Sequence, residues 1–138
     1  DKVISVHRVK ESKWHQLLPY FDRIVAGTWW KELTNELTED QFLFRFLMND
    51  GTFLELDSTC NFSGKIKHEA ITNSSYPGLE RYKNRIIAAV QNDAPTTDTY
   101  YYIFLTNNEY LRYNIRTNRA ETDPRPINDH FWPGLLRD

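Results

Sequence analysis

The sequence predicts an all-β fold, and three observations support this prediction. Phe, Trp and Tyr make up 14% of the 138 residues, and large rings favour pleated, half-buried sheet surfaces. Aromatic-rich runs flank Asp50-Gly51, and others flank Asn107-Asn108, as in β-hairpins with tight turns. The order of strand, hairpin and polar segment occurs twice, which predicts a β module present in duplicate.

The region before the first hairpin is predicted to contain short elements. Apolar residues alternate with polar ones over residues 1–10, which predicts a short strand. Ser12 can cap a short helix with Trp14, Leu17 and Leu18 on its apolar face, and Pro19 is expected to end it. The next stretch, "DRIVAGTWW", is apolar and partly β-branched, so we predict a strand there.

The same elements recur after the first hairpin and its polar segment. The stretch "YKNRIIAAV" is typical of a strand, and "TYYYIFLTNNEYLRYNI" is typical of a second hairpin. Each half ends on an aromatic residue followed by Pro-Gly-Leu, at residues 76–79 and 132–135, and we call these two segments the joints. Pro cannot donate to a strand ladder and Gly allows a sharp reversal, so we predict that each joint ends one module, with its ring packed between modules.

The second half, residues 82–135, resembles the hemopexin repeat. The resemblance rests on "IIAAV", on "YYIFLTNNEYLRYN" and on "RTNRAETDPRPINDHFWPGL", in the order that the family has them. Residues 20–79 resemble a degenerate copy of the same repeat. The length of the chain predicts one domain, residues 1–138. The resemblance implies that it holds two four-stranded propeller blades whose first strands line a channel. Because the family usually carries four blades, we expect either that two chains complete a four-bladed disc as a homodimer or that the chain is a fragment of a longer protein.

The resemblance implies two kinds of binding site. In the family, carbonyl groups of the innermost strands can hold an ion, and the matching residues here are Val25, Gly27, Ile87 and Ala89. A Ca²⁺ or Na⁺ ion is therefore a candidate cofactor, although Val25 and Ile87 stand where the family has Asp. Haem is a second candidate because the family includes a haem carrier. Its candidate contacts are His68, His130, Trp29 and Tyr101.

Composition and charge exclude several classes of partner. The net charge is −2, no run of five like charges occurs, and the apolar stretches are too short to span a bilayer. We therefore expect neither a nucleic-acid nor a membrane partner. Cys60 is the single cysteine, which favours a cytoplasmic location, whereas glycosylation triplets at Asn61 and Asn73 leave secretion as the alternative.

The function that these features favour is non-catalytic binding of a protein partner or a small ligand, because no catalytic motif occurs. Two alternatives stay open. Gly27-Thr28-Trp29 after a short helix resembles the opening strand of lipocalins, which implies an up-and-down barrel that carries an apolar molecule. The other alternative is a small β-barrel enzyme that acts through the shape of its cavity.

Overall fold

The protein folds into two antiparallel sheets. The computed structural model describes residues 2–30, 43–57, 64–92, 100–130 and 132–135. With one exception in the second sheet, strands that are neighbours in space are also neighbours in sequence. The all-β prediction is therefore confirmed.

The sheets have four and five strands among the described residues. The first sheet has the order β1-β2-β3-β4, with β1 (Ile24–Trp30), β2 (Leu43–Met48), β3 (Thr52–Asp57) and β4 (Lys67–Ala70). The second has the order β5-β6-β7-β8, and β9 also pairs with β7. Its strands are β5 (Ile86–Asn92), β6 (Tyr100–Leu105), β7 (Glu109–Asn114), β8 (Arg119–Ala120) and β9 (Arg125–Pro126).

Both predicted hairpins are confirmed, and their turns follow from residue chemistry. The β2–β3 hairpin turns at Gly51, whose φ of 80° lies in the left-handed region that glycine adopts without a Cβ clash. The β6–β7 hairpin turns at Asn107 and Asn108, with φ of 67° and 54°. Asn tolerates this region better than most residues do, so the Asn pair fits the three-residue loop between the paired Leu105 and Glu109.

The two sheets share details of register that allow their positions to be aligned. The β1–β2 register shifts between Ile24 and Ala26, and the β5–β6 register shifts between Ile86 and Ala88. We call residues 24–79 the first module and residues 86–135 the second module. Two positions are called equivalent when they fall at the same pairing step counted from the register shift of their own sheet, as Ile24 and Ile86 do.

The joints also have matching hydrogen bonds. The backbone N–H of Leu79 donates to the carbonyl of Tyr76 at 3.0 Å, and that of Leu135 donates to Trp132 at 3.1 Å. Gly78 has a φ of 88° and would place a Cβ 2.8 Å from the Cβ of Ala120. The first joint therefore needs glycine both for its backbone conformation and for its close approach to the second module.

The main core lies between the two modules, in a contact that we call the seam. The first module contributes Leu47 and Phe53 from its hairpin, and the second contributes Tyr101, Ile103 and neighbouring residues. Tyr76 is fully buried in this core, with its ring centroid 5.1 Å from that of Phe53 and 5.6 Å from that of Tyr113. The ring of the first joint thus contacts both sheets.

The amino-terminal region differs from its prediction. No strand occurs in residues 2–10; a 3₁₀ turn covers Val9–Glu11, and Val3 is 80% exposed. The predicted helix exists as a 3₁₀ helix, His15–Arg23, and it continues through Pro19. Pro removes only one backbone donor, and the looser hydrogen bonding of a 3₁₀ helix packed on the sheet tolerates that loss.

The closed-barrel fold that the lipocalin-like carrier and the small β-barrel enzyme both imply is wrong for the described strands. Those strands divide between two sheets that do not close into a barrel. Gly27-Thr28-Trp29 lies in β1 at the edge of the first sheet, where side chains rather than a strand ladder connect it to the second sheet. Among the described residues, no helix is long and apolar enough to cross a membrane.

Candidate functional site

The two inner strands, β1 and β5, are joined by one side chain. The amide nitrogen of Gln91 donates to the carbonyl of Trp29, and the Gln91 oxygen accepts from the Trp29 N–H, both at 3.1 Å. The Thr28 hydroxyl also donates to Gln91. Gln91 therefore satisfies backbone groups that β1 would otherwise expose, which fixes the relative position of the two sheets.

The predicted ion ligands lie on these inner strands. Val25 and Ile87 are the residues at which the two register shifts occur, so neither has a partner in the Cα pairing. Gly27 pairs with Phe46, and Ala89 pairs with Ile103. The four residues thus occupy matching places in the two modules, and the ion site stays a prediction. The described residues contain no group of three or more His, Cys, Asp or Glu side chains that could hold a metal.

The residues predicted to bind haem lie in different environments. His68 is exposed on β4, where its ring nitrogen lies 2.9 Å from the Thr52 hydroxyl. His130 is exposed in the turn before the second joint. Trp29 is 40% exposed on β1, but Tyr101 is fully buried in the core, where burial raises the pKa of its hydroxyl. Tyr101 therefore has no solvent-facing surface to offer a ligand, and haem binding stays a prediction.

The first module has an apolar depression on the face opposite the seam, which we call the first outer face. The depression has a volume of about 270 Å³ and is lined by Trp14, Leu17, Gly27, Thr28, Trp29, Phe44 and Phe46. The ring of Trp14 stands edge-on to Phe44, with centroids 5.0 Å apart. The backbone of Gly27 leaves the depression open, because a Cβ there would lie 3.0 Å from the ring of Phe46.

The second module carries an aromatic cluster on its own face opposite the seam, the second outer face. Trp132 of the second joint contacts Tyr102, Phe104 and Tyr110, with centroid distances of 5.6, 5.2 and 5.3 Å. Beside this cluster is a pocket of about 220 Å³, which we call the Trp132 pocket. It is lined by Tyr102, Tyr110, Arg112, Thr122, Arg125 and Trp132.

Sequence reasoning missed that Trp14 opens a third segment of the joint type. Trp14 and Leu17 are spaced like Tyr76 and Leu79, and the Leu17 N–H donates to the Trp14 carbonyl at 2.9 Å, as in the two joints. The spacing Trp14-Leu17-Tyr20-Arg23 also matches Tyr76-Leu79-Tyr82-Arg85. That spacing was visible in the sequence, but His15-Gln16 in place of Pro-Gly concealed it.

The predicted features at the 58–63 segment, Cys60 and the Asn61 triplet, lie outside the described residues. Asn73 is exposed at the surface, and its side-chain oxygen accepts from the Gly78 N–H at 3.2 Å.

Comparison with other proteins adds no assignment: no family model matches the chain, and no curated protein does either.

Proposed function

We propose that this protein is a non-catalytic binding module of hemopexin-like architecture whose partner is a second copy of the same chain. The observation that supports this proposal is the correspondence between its exposed and buried faces. Each outer face holds positions equivalent to those that the other module buries in the seam. The chain therefore buries one surface of each kind in its seam and leaves the equivalent surface of the other module available to a partner.

The second outer face is equivalent to the part of the first module that packs in the seam. Tyr102, Phe104, Tyr110 and Trp132 stand where the first module has Arg45, Leu47, Phe53 and Tyr76. Leu47, Phe53 and Tyr76 are at most 1% exposed. In the second module the corresponding surface is aromatic, and aromatic residues are enriched in protein interfaces.

The first outer face is equivalent to the part of the second module that packs in the seam. Phe44 and Phe46 stand where the second module has Tyr101 and Ile103, both of which are fully buried. Phe44 and Phe46 are only half-buried, and Trp29 beside them is 40% exposed. Apolar surface that stays accessible in this way marks interaction sites in soluble proteins. It is the surface that the second outer face of another copy would cover if the internal seam were repeated between chains.

Two chains related by a two-fold axis can satisfy both outer faces at once. The second module of each copy packs on the first module of the other, which closes a disc of four modules and leaves no outer face unpaired. In such a homodimer Trp132 of one copy comes near Trp14 of the second copy. The seam between copies would then hold both of these tryptophan rings, whereas the seam inside one chain holds a single joint ring, Tyr76.

The test is the oligomeric mass of the wild-type chain and of face variants, measured by size-exclusion chromatography with light scattering. We expect a dimer at micromolar protein concentration. We expect monomers for Phe44→Asp, on the first outer face, and for Phe104→Asp, on the second. Val3→Asp is the matched control, because Val3 is an exposed apolar residue outside both faces, and it should remain dimeric.

A mixing experiment sharpens the test. Phe44→Asp keeps an intact second outer face and Phe104→Asp keeps an intact first one, so an equimolar mixture can form one good seam and should recover dimer that neither variant forms alone. Circular dichroism checks that each variant is folded. A wild-type chain that stays monomeric at all accessible concentrations would overturn the proposal.

A further inference from the structure

The Trp132 pocket contains an unusual set of hydrogen-bond donors. Arg112 Nε, Thr122 Oγ1 and Trp132 Nε1 are buried and find no hydrogen-bond partner among the described residues. All three belong to residues that line this pocket. Buried donors in folded proteins are nearly always paired, so three donors without a described partner at one pocket indicate a group that the described residues do not supply.

The three donors come from separate parts of the chain. Arg112 lies on β7, Thr122 follows β8, and Trp132 lies in the second joint. The ring of Trp132 is held by its contacts with Tyr102 and Tyr110, and the guanidinium of Arg112 lies 4.5 Å from the centroid of Tyr100. Tertiary packing therefore fixes the donors in place before any ligand arrives, which lowers the entropic cost of binding.

The charge around the pocket favours an anion. The Nη2 group of Arg112 pairs with Glu121 at 2.9 Å, which leaves the buried Nε of the same guanidinium as a donor. Arg125 adds a second cation to the lining. Among the described residues, the lining of this pocket holds two guanidinium groups and no carboxylate, and N–H groups of arginine bind carboxylates strongly.

The equivalent place in the first module already contains a carboxylate. Glu55, the equivalent of Arg112, accepts from Arg45 Nε at 2.8 Å. The guanidinium of Arg45 lies 5.0 Å from the ring centroids of both Phe53 and Tyr76. In the first module, the arginine beside the aromatic rings is thus paired with a glutamate of the same module. The second module has arginine at the position where the first has this glutamate.

From this geometry we propose that the Trp132 pocket binds a small carboxylate carried on a flat apolar body. The carboxylate would accept from the donors of Arg112, Thr122 and Trp132, and the flat body would pack against the rings of Tyr102 and Tyr110. The volume of about 220 Å³ is below that of pockets for drug-sized ligands, which fits a one-ring compound. The carboxylate could belong to a free aromatic acid or to the last residue of a peptide.

The test is calorimetric titration with two matched pairs of compounds. Benzoate and benzamide represent the free aromatic acid and its neutral counterpart, and N-acetylphenylalanine and its amide represent a peptide terminus. We expect at least one acid to bind about tenfold more tightly than its amide, since a charged acceptor strengthens each donated bond. The pair that shows the larger difference identifies the source of the carboxylate.

Conservative variants then assign the binding to this pocket. Thr122→Val removes one donor, and Arg112→Lys keeps the charge but removes Nε; each should weaken acid binding about fivefold and leave amide binding nearly unchanged. Arg8→Lys is the control, because Arg8 is exposed and outside the pocket. Equal binding of acid and amide in both pairs, no saturable binding, or no effect of either variant would overturn the proposal.

The titration is repeated on Phe44→Asp so that this site and the pairing of copies are judged separately. Phe44 lies on the first outer face and does not line the Trp132 pocket. Acid-selective binding by Phe44→Asp supports the site whether or not the wild-type chain forms a dimer. Loss of acid selectivity in both proteins rejects the site and leaves the dimer proposal unaffected.

Discussion

The seam face of the first module and the outer face of the second module have the same backbone plan but different surroundings. Tyr76 is fully buried between two sheets, whereas its equivalent, Trp132, is partly exposed and packs on its own sheet. The first module pairs Arg45 with Glu55 at this place. The second has Arg112 instead, whose buried Nε finds no partner in the described part of the chain.

Two modules with the same backbone plan therefore need not have the same surroundings. In the first module, the second module covers the aromatic rings and removes them from water, which stabilises the fold. In the second module the equivalent rings lie on the outer face, where we propose that they contact a partner or a ligand. The following measurements test that distinction, beginning with the largest expected effect.

Removing the joint ring should cost much more stability in the first module than in the second. Tyr76→Ala leaves a cavity in the main core and should lower the free energy of unfolding by about 3–5 kcal/mol. Trp132→Ala should lower it by about 1–2 kcal/mol, because part of this ring is already exposed. Urea denaturation of both variants at one protein concentration measures the two values. Equal losses would show that the two joints contribute alike.

Alkaline pH should weaken the seam. Burial raises the pKa of Tyr76, Tyr101 and Tyr113 above the ordinary value of 10.0. Their stabilising contribution is complete below pH 10 and is lost as the pH rises toward the folded-state pKa, since the unfolded chain then releases protons that the folded chain retains. Each tyrosine should lower the free energy of unfolding by about 1.4 kcal/mol per pH unit in that range. Urea titrations from neutral pH to about pH 11 measure this slope, and a flat profile would contradict it.

Two conservative variants distinguish paired from unpaired hydroxyl groups in the seam. The Tyr101 hydroxyl is buried and finds no partner among the described residues, whereas the Tyr113 hydroxyl donates to Asn118 at 2.8 Å. Tyr101→Phe should therefore leave stability unchanged or raise it slightly, and Tyr113→Phe should lower it by about 1 kcal/mol. Thermal unfolding compares them directly, and a destabilised Tyr101→Phe variant would reveal a bound partner for that hydroxyl.

Local chemistry made much of the fold predictable. The two hairpin turns, the strands β1 and β5 and the position of both joints follow from turn residues and from β-branched and aromatic runs, which act over a few residues. The predicted strand in residues 1–10 was wrong because alternation without a neighbouring strand gives no ladder to join. The helix end at Pro19 was wrong because packing of Leu17 on Met48 and Leu54 holds the 3₁₀ helix past it.

The candidate sites were less predictable. Side chains alternate between the two faces of a strand, and along β6 the buried Tyr101 lies between two half-buried tyrosines. The sequence does not show which of those faces is covered. Tyr101 was therefore predicted as a ligand contact, although packing against the first module buries that side chain in the seam.

By itself the sequence determined the all-β class, the two hairpins and the repeated joints, because each depends on neighbouring residues and on a period of two along a strand. Tertiary structure alone decided which face of each sheet is buried. Leu47 and Met48, which point to opposite faces, are both fully buried, so apolar patterning marks both sides of the first sheet equally. Only the packing of one module on the other distinguishes the seam from the outer faces, and it leaves the donors around Trp132 without a partner among the residues that the structure describes.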